Sequence, residues 1–137
     1  MTNLVILETN VDDATPEELA HALETLLKAG ALDAHIIPCV MKKGRPGFLF
    51  RVLTKDPKKH VPLVMEHTGT LGVRIIPLLD RVEAPRSTSK IQVVVAGKKH
   101  GVRIKKSPVK NKAEFDDIAR IADEHKMSVR KVKKSLR

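Results

Sequence analysis

Leu7-Glu8-Thr9-Asn10-Val11-Asp12-Asp13-Ala14-Thr15-Pro16-Glu17-Glu18 is the stretch from which the rest of the chain is read. The run Leu4 to Leu7 that leads into it is apolar and β-prone, which predicts a strand. Thr15-Pro16-Glu17-Glu18 predicts a helix start, with Thr15 as N-cap, Pro16 at the first helical position and Glu18 closing a capping box. Between strand and helix sit Glu8, Asn10, Asp12 and Asp13, four oxygen-bearing side chains in six residues. At the carboxyl end of a strand, such a set suits a hard divalent cation such as Mg²⁺ or Mn²⁺. The same residues also suit a plain acidic turn in which Asp12 and Asp13 serve only the helix dipole.

Working outward, Leu19, Leu23, Leu26 and Leu27 fall at helical spacing and predict a helix from Pro16 to about Ala29, ended by Gly30. Ala34 to Met41 predicts a strand, with Pro38 pointing to an edge or a bulge. Lys42 to Gly47 is a tight basic connection, and Phe48 to Leu53 completes a hairpin. Lys58 to about His67 predicts a second helix with Pro62 in its first turn, and Leu71 to Leu79 a fourth strand interrupted by Pro77. The order strand, helix, strand, strand, helix, strand is that of an α+β, ferredoxin-like βαββαβ core with an antiparallel sheet backed by two helices.

Beyond Pro85 the chain changes character. Lys90 to Val95 and Val102 to Lys105 predict a second hairpin around a turn from Ala96 to Gly101, with basic residues on its open face. Glu114 to His125 predicts a helix with Phe115, Ile118, Ile121 and Ala122 on one side, and Ser128 caps a last short helix through Val132 and Leu136. The fold class is thus a ferredoxin-like core over residues 1–84, followed by a basic β-hairpin and C-terminal helices over 85–137, expected to form one compact unit.

Composition bounds the function. At 137 residues with 42% apolar content, the chain can bury a core. An aromatic content of 2%, without Trp or Tyr, argues against a base-stacking platform. The single Cys39 excludes an internal disulfide, fits a reducing cytoplasm and reads as a small buried hydrophobe. No apolar run is long enough to span a bilayer, so no membrane partner is expected. Residues 1–84 hold 10 Lys+Arg against 11 Asp+Glu, and residues 85–137 hold 16 against 5, which gives −1 and +11 and the net +10. That basic half implies an anionic partner: a nucleotide, a nucleic acid or an acidic protein surface.

Individual motifs sharpen this. Lys42-Lys43-Gly44-Arg45-Pro46-Gly47 combines close backbone approach with phosphate-matching cations, without the pattern of a Walker loop. Thr68-Gly69-Thr70-Leu71-Gly72-Val73-Arg74 offers hydroxyls and an arginine for anion or ribose contacts. Lys105, Lys106 and Lys110 suit either the outside of a triphosphate or plain solvation. His21, His35, His60, His67, His100 and His125 are scattered, and no pair shows a zinc-type spacing with Cys39, so they read individually as core or surface histidines. Residues 121–132 resemble a helix-turn-helix only superficially and read as a basic terminal helix packed on the domain.

The block Glu8-Thr9-Asn10-Val11-Asp12-Asp13 with Thr15-Pro16-Glu17 resembles the signature of the carboxy-terminal domain of the LarC-type nickel insertases. Ala29-Gly30-Ala31-Leu32-Asp33-Ala34, Met41 to Gly47, Thr68 to Arg74 and Lys110 to Asp117 agree in order, so the similarity covers nearly the whole chain. The family pattern has a further Thr where Gly69 stands. The resemblance implies a CTP-dependent nickel chelatase of the lyase class. Its carboxy-terminal domain binds CTP with Mg²⁺ or Mn²⁺, while nickel, the substrate metal, is placed into a pyridinium bisthiocarboxylate mononucleotide, the nickel-pincer precursor. By position, Asp12 and Asp13 would hold the metal with Glu8 and Asn10 shaping the site. Lys42, Lys43 and Arg45 would bind the triphosphate, with Thr68, Thr70 and Arg74 contributing. The resemblance further implies a cytoplasmic homo-oligomer, a trimer or hexamer.

In the family a longer amino-terminal domain, rich in His and acids, precedes this one, whereas here the motif follows Met1 almost directly. The expectation is a separate amino-terminal nickel-handling subunit, a longer parent chain, or a domain that binds nucleotide for another purpose. The alternative function is a basic nucleic-acid-binding module using residues 85–137, which predicts steeply salt-dependent binding.

Overall fold

Strand β1, Val5–Val11, alternates its side chains across the sheet, so Leu7 and Val11 enter the core while Glu8 and Asn10 point to the other face. The computed structural model describes residues 2–136, in two compact units that meet in sequence at Arg81 and Val82.

In the first unit, β1 leads to helix α1, Pro16–Lys28, through the expected capping box. The Thr15 hydroxyl accepts from the Glu18 amide at 3.2 Å, and the Glu18 carboxylate accepts from the Thr15 amide at 2.7 Å. Leu19, Ala22 and Leu26 are buried, whereas Leu27, expected on that stripe, is 40% exposed: it lies one position beyond the buried row. Strands β2, Asp33–Val40, and β3, Pro46–Thr54, form the hairpin. Helix α2, Pro57–Thr68, and strand β4, Arg74–Pro77, complete the core. The sheet order β2-β3-β1-β4, antiparallel throughout, is the ferredoxin-like arrangement. Pro38 lies on the edge strand β2, where a missing amide is tolerated. Phe50, Val52 and Val64 close the core against α1.

Two local expectations are corrected. Pro57, not Pro62, occupies the first helical position of α2, with Asp56 as N-cap; Pro62 stands inside the helix on its exposed side. The tertiary packing of Val64 and His60 holds the helix together across the lost amide. Cys39 is half-buried and shares the sheet face with Glu8 and Arg51, away from the helices. Gly47 is needed for space: a Cβ there would run into the Met41 sulfur and come within 2.9 Å of the Val11 carbonyl.

In the second unit, β5, Ser87–Val95, pairs with β6, Lys98–Lys106. The expected six-residue turn is only Ala96-Gly97, both at positive φ, which makes the hairpin tighter and both strands longer than their patterns suggest. A short strand not foreseen, β7, Asn111–Ala113, adds to β6. Helix α3, Phe115–Glu124, and helix α4, Val129–Ser135, cover the sheet; Ser128 caps α4 through the Lys131 amide as expected. Val102, Ile121 and Val132 form the core, all aliphatic, while Phe115, expected among them, is 55% exposed. No described helix is long and apolar enough to cross a membrane.

Candidate functional site

Cross-strand register builds the centre of the site. Glu8 stands opposite Arg51 on β3 and opposite Arg74 on β4. Its Oε2 accepts from Arg51 Nε at 2.5 Å and its Oε1 from Arg74 Nε at 3.1 Å, so both carboxylate oxygens are engaged by guanidinium groups. Burial pushes the Glu8 carboxyl up, and the hydrogen bonds and charges of Arg51 and Arg74 more than offset this, so its pKa lies below the ordinary value. Arg74 also donates from Nη2 to Asn10 Oδ1 at 2.6 Å. Four residues are thus tied into one network; the sequence motifs point to Glu8, Asn10 and Arg74, whereas Arg51 reads in sequence as an ordinary strand residue.

Beside this network lies a cleft of about 380 Å³ that includes Asn10, Lys42, Thr70 and Arg74 among its walls. Four residues predicted from three separate motifs therefore meet: the end of β1, the β2–β3 connection and the loop after α2. Thr9, not foreseen, joins them. Its hydroxyl lies 2.6 Å from that of Thr70, and both reach the Gly72 carbonyl, at 2.9 and 3.0 Å. These contacts fix the loop before β4 against β1.

The remaining predicted residues are placed elsewhere. Thr68 is buried and donates to the Val64 carbonyl at 2.7 Å, so its hydroxyl is spent on α2. Gly69, where the family pattern has Thr, ends α2 in the left-handed region. Lys43 is exposed at positive φ at the tip of the connection, in a single 3-10 turn at Lys42–Gly44. Asp12 approaches Arg45 at 3.5 Å, a long and open ion pair. Asp13 lines a second cleft of about 250 Å³ with Glu66, His67 and Thr68. Glu8, Asp12 and Asp13 do not converge: among the described residues, no three His, Cys, Asp or Glu ligand atoms gather at this turn. The donor set still fits Mg²⁺ or Mn²⁺ held largely by phosphate oxygens, since such an ion needs only one or two protein carboxylates, and Asp12 and Asp13 are exposed.

In the second unit, several of the basic residues are already paired. Arg103 grips Asp117, Lys105 meets Glu114 at 2.7 Å and Lys98 meets Glu124.

The fold and cleft define the class first: an α+β domain with a ferredoxin-like core and a hydroxyl-lined, cationic cleft at one end of its sheet. Comparison with known proteins supplies the family. The nickel insertion protein family matches residues 1–133, and the chain belongs to it. Relatives named for nickel insertion include one from Archaeoglobus fulgidus, 41% identical over 128 residues, covering 89% of this chain and 32% of the relative. Another, from Methanococcoides burtonii, is 36% identical over 138 residues, covering 95% and 35%. The chain thus spans about a third of the length of these relatives. Among solved structures it resembles LarC2, the C-terminal domain of a cyclometallase involved in synthesis of the NPN cofactor of lactate racemase, with a TM-score of 0.81, 28% identity, and coverage of 97% and 93%. A protein from Methanopyrus kandleri matches with a TM-score of 0.71 at 28% identity, covering 96% and 82%.

Proposed function

We propose that this domain binds CTP with a divalent metal and serves a nickel insertase that places nickel into the pyridinium bisthiocarboxylate mononucleotide of the nickel-pincer cofactor. The observation that carries the reading is the meeting of Asn10, Lys42, Thr70 and Arg74 around one cleft, with Asp12 and Asp13 exposed at the adjoining turn. In this reading Lys42, Lys43 and Arg45 neutralise the triphosphate, Thr70 and Arg74 orient it, and Asp12 and Asp13 hold Mg²⁺ or Mn²⁺ against phosphate oxygens. The ion supplies charge neutralisation when bound. Glu8 takes no part as a ligand; it accepts from both Arg51 and Arg74, which anchors Arg74 beside the cleft. Nickel is the cargo, handled together with the rest of a longer protein or a separate subunit, in a homo-oligomer.

Calorimetric titration of CTP, with ATP as comparison, with and without Mn²⁺, on the native chain and on Asp13→Ala tests this. The expected result is CTP binding that requires the ion and is lost in the variant. Absence of nucleotide binding under every condition, or binding only to nucleic acid with a steep salt dependence, would overturn it.

A further inference from the structure

His100 stands where the pattern of β6 calls for an apolar residue. It shares the helix-facing row with Val102, its side chain is 3% exposed, and it pairs across the hairpin with Val93. A buried imidazole in an aliphatic row needs a partner. The partners come from the other end of the unit. His100 Nε2 lies 2.8 Å from His125 Nε2, and the Glu124 carboxylate lies 3.8 Å from His100 Nδ1. The rings meet edge to face, with centroids 4.9 Å apart. One nitrogen from each ring and one Glu124 oxygen all lie within 4.8 Å of one another, the only such trio found among the described residues.

Local backbone fixes this geometry. His125 is the C-cap of α3, and the helix closes with a paired turn in which the Lys126 amide bonds the Asp123 carbonyl at 3.2 Å and the Met127 amide bonds the Ala122 carbonyl at 3.0 Å. Lys126 takes the left-handed position usually held by Gly, at φ 51. Glu124 is further held by an ion pair with Lys98 on β6. The three groups are therefore presented by two rigid elements, with His125 and Glu124 toward solvent and His100 behind them.

We propose that His100, His125 and Glu124 form a binding site for a borderline first-row divalent cation of the Zn²⁺ or Ni²⁺ class. The two imidazoles serve as nitrogen ligands and Glu124 as the oxygen ligand. Nitrogen-rich sets of this kind select such ions over Mg²⁺. On binding, the ion takes the place of the hydrogen between the two Nε2 atoms, and the ring that donated it stays neutral by carrying its proton on Nδ1 instead. With metal–nitrogen bonds of about 2.0–2.1 Å, the two nitrogens need to stand roughly 2.9–3.4 Å apart, a small opening from their present contact. Three protein ligands leave room for a further ligand from solvent or from a metal-receiving molecule. The site does not depend on the nucleotide reading, since it uses none of the residues assigned to CTP.

The test is titration of the tag-free chain with Zn²⁺ and Ni²⁺, against a chromophoric chelator and with Mg²⁺ as comparison. The native protein binds one equivalent at this site. His125→Ala weakens binding by at least about tenfold, the scale on which even indirect support of a metal ligand registers, while His21→Ala and His35→Ala do not. In parallel, the ¹⁵N resonances of His100 and His125 shift on adding one equivalent of Zn²⁺ to the native protein, a readout that does not require any variant to fold. No stoichiometric binding, equal affinity in a folded His125→Ala, preference for Mg²⁺, or shifts confined to other histidines would overturn the proposal.

Discussion

Each unit is an antiparallel sheet with helices on one face, and each buries a carboxylate, at 9% exposure, against arginine; the two carboxylates do different work. Glu8 lies on the strand itself and spreads its two oxygens between Arg51 and Arg74 on the neighbouring strands. Asp117 lies in the first turn of α3 and reaches back to a single residue, Arg103. Its Oδ2 accepts from the Arg103 amide at 2.8 Å and from Nε at 3.0 Å, while Oδ1 accepts from Nη2 at 3.0 Å. The Arg103 carbonyl is taken by the Glu114 amide at 2.9 Å. The start of α3 thus continues the hydrogen bonding of β7 along β6 after β7 has ended, and Asp117 stands in for a strand. Asp117 closes a structure, whereas Glu8 arranges cations beside a cleft. Identical chemistry gives a staple in one place and a presentation device in the other, and topology decides which.

The largest expected effect contrasts the two cores. Phe50 is fully buried in the first unit, while among the described residues of the second no Phe is buried and Phe115 is 55% exposed. Phe50→Ala is expected to cost about 3–5 kcal/mol, and Phe115→Ala to stay within about 0.5 kcal/mol, by chemical denaturation. Equal effects would erase the contrast.

The staple comes next. Arg103 bonds and the Arg103 amide hold the Asp117 carboxyl at about 2, against 3.8 ordinarily, with burial opposing. A carboxyl whose folded pKa is depressed stabilises the fold above its unfolded pKa and loses that contribution as pH falls through the folded one. The Asp117 contribution is therefore complete near neutrality and fades between about pH 5 and pH 2. It amounts to about 1–2 kcal/mol, discounted because the Arg103 side chain is 53% exposed. Asp117→Asn should lose that amount at pH 7 and flatten this limb of a stability–pH curve. Glu8 is shifted in the same direction, so Glu8→Gln should flatten the limb too while also lowering CTP affinity, which Asp117→Asn should not.

The smallest effect concerns the left-handed residue that positions His125. Lys126→Gly removes an unfavourable backbone conformation and should stabilise the second unit by up to about 1 kcal/mol in thermal melts.

Much of this was legible in the sequence wherever the signal is local. Thr15, Pro16 and Glu18 announce α1, and the order of alternating runs gives the ferredoxin-like core. What was missed depends on contacts between distant residues. Arg51 looks like any outward strand residue until register sets it opposite Glu8. Thr9 gains meaning only when the loop at Thr70 folds onto it. His100 and His125, 25 residues apart, have no metal-type spacing and meet only because β6 and the end of α3 pack together. Helical period places Phe115 on the core side, but it occupies the first position of α3 and stays 55% exposed. Pro62 and the two-residue turn at Ala96-Gly97 show packing overriding local preference.

The most direct test compares two arginines, each gripped by a buried carboxylate. CTP titration in the presence of Mn²⁺ should be run on the native chain, Arg74→Ala and Arg103→Ala, with folding followed by melting. The account predicts that Arg74→Ala loses affinity by roughly ten- to a hundredfold, the value of a charged hydrogen bond, while Arg103→Ala lowers the melting temperature and leaves affinity unchanged. Unchanged affinity in Arg74→Ala, or an equal loss in a folded Arg103→Ala, would contradict it.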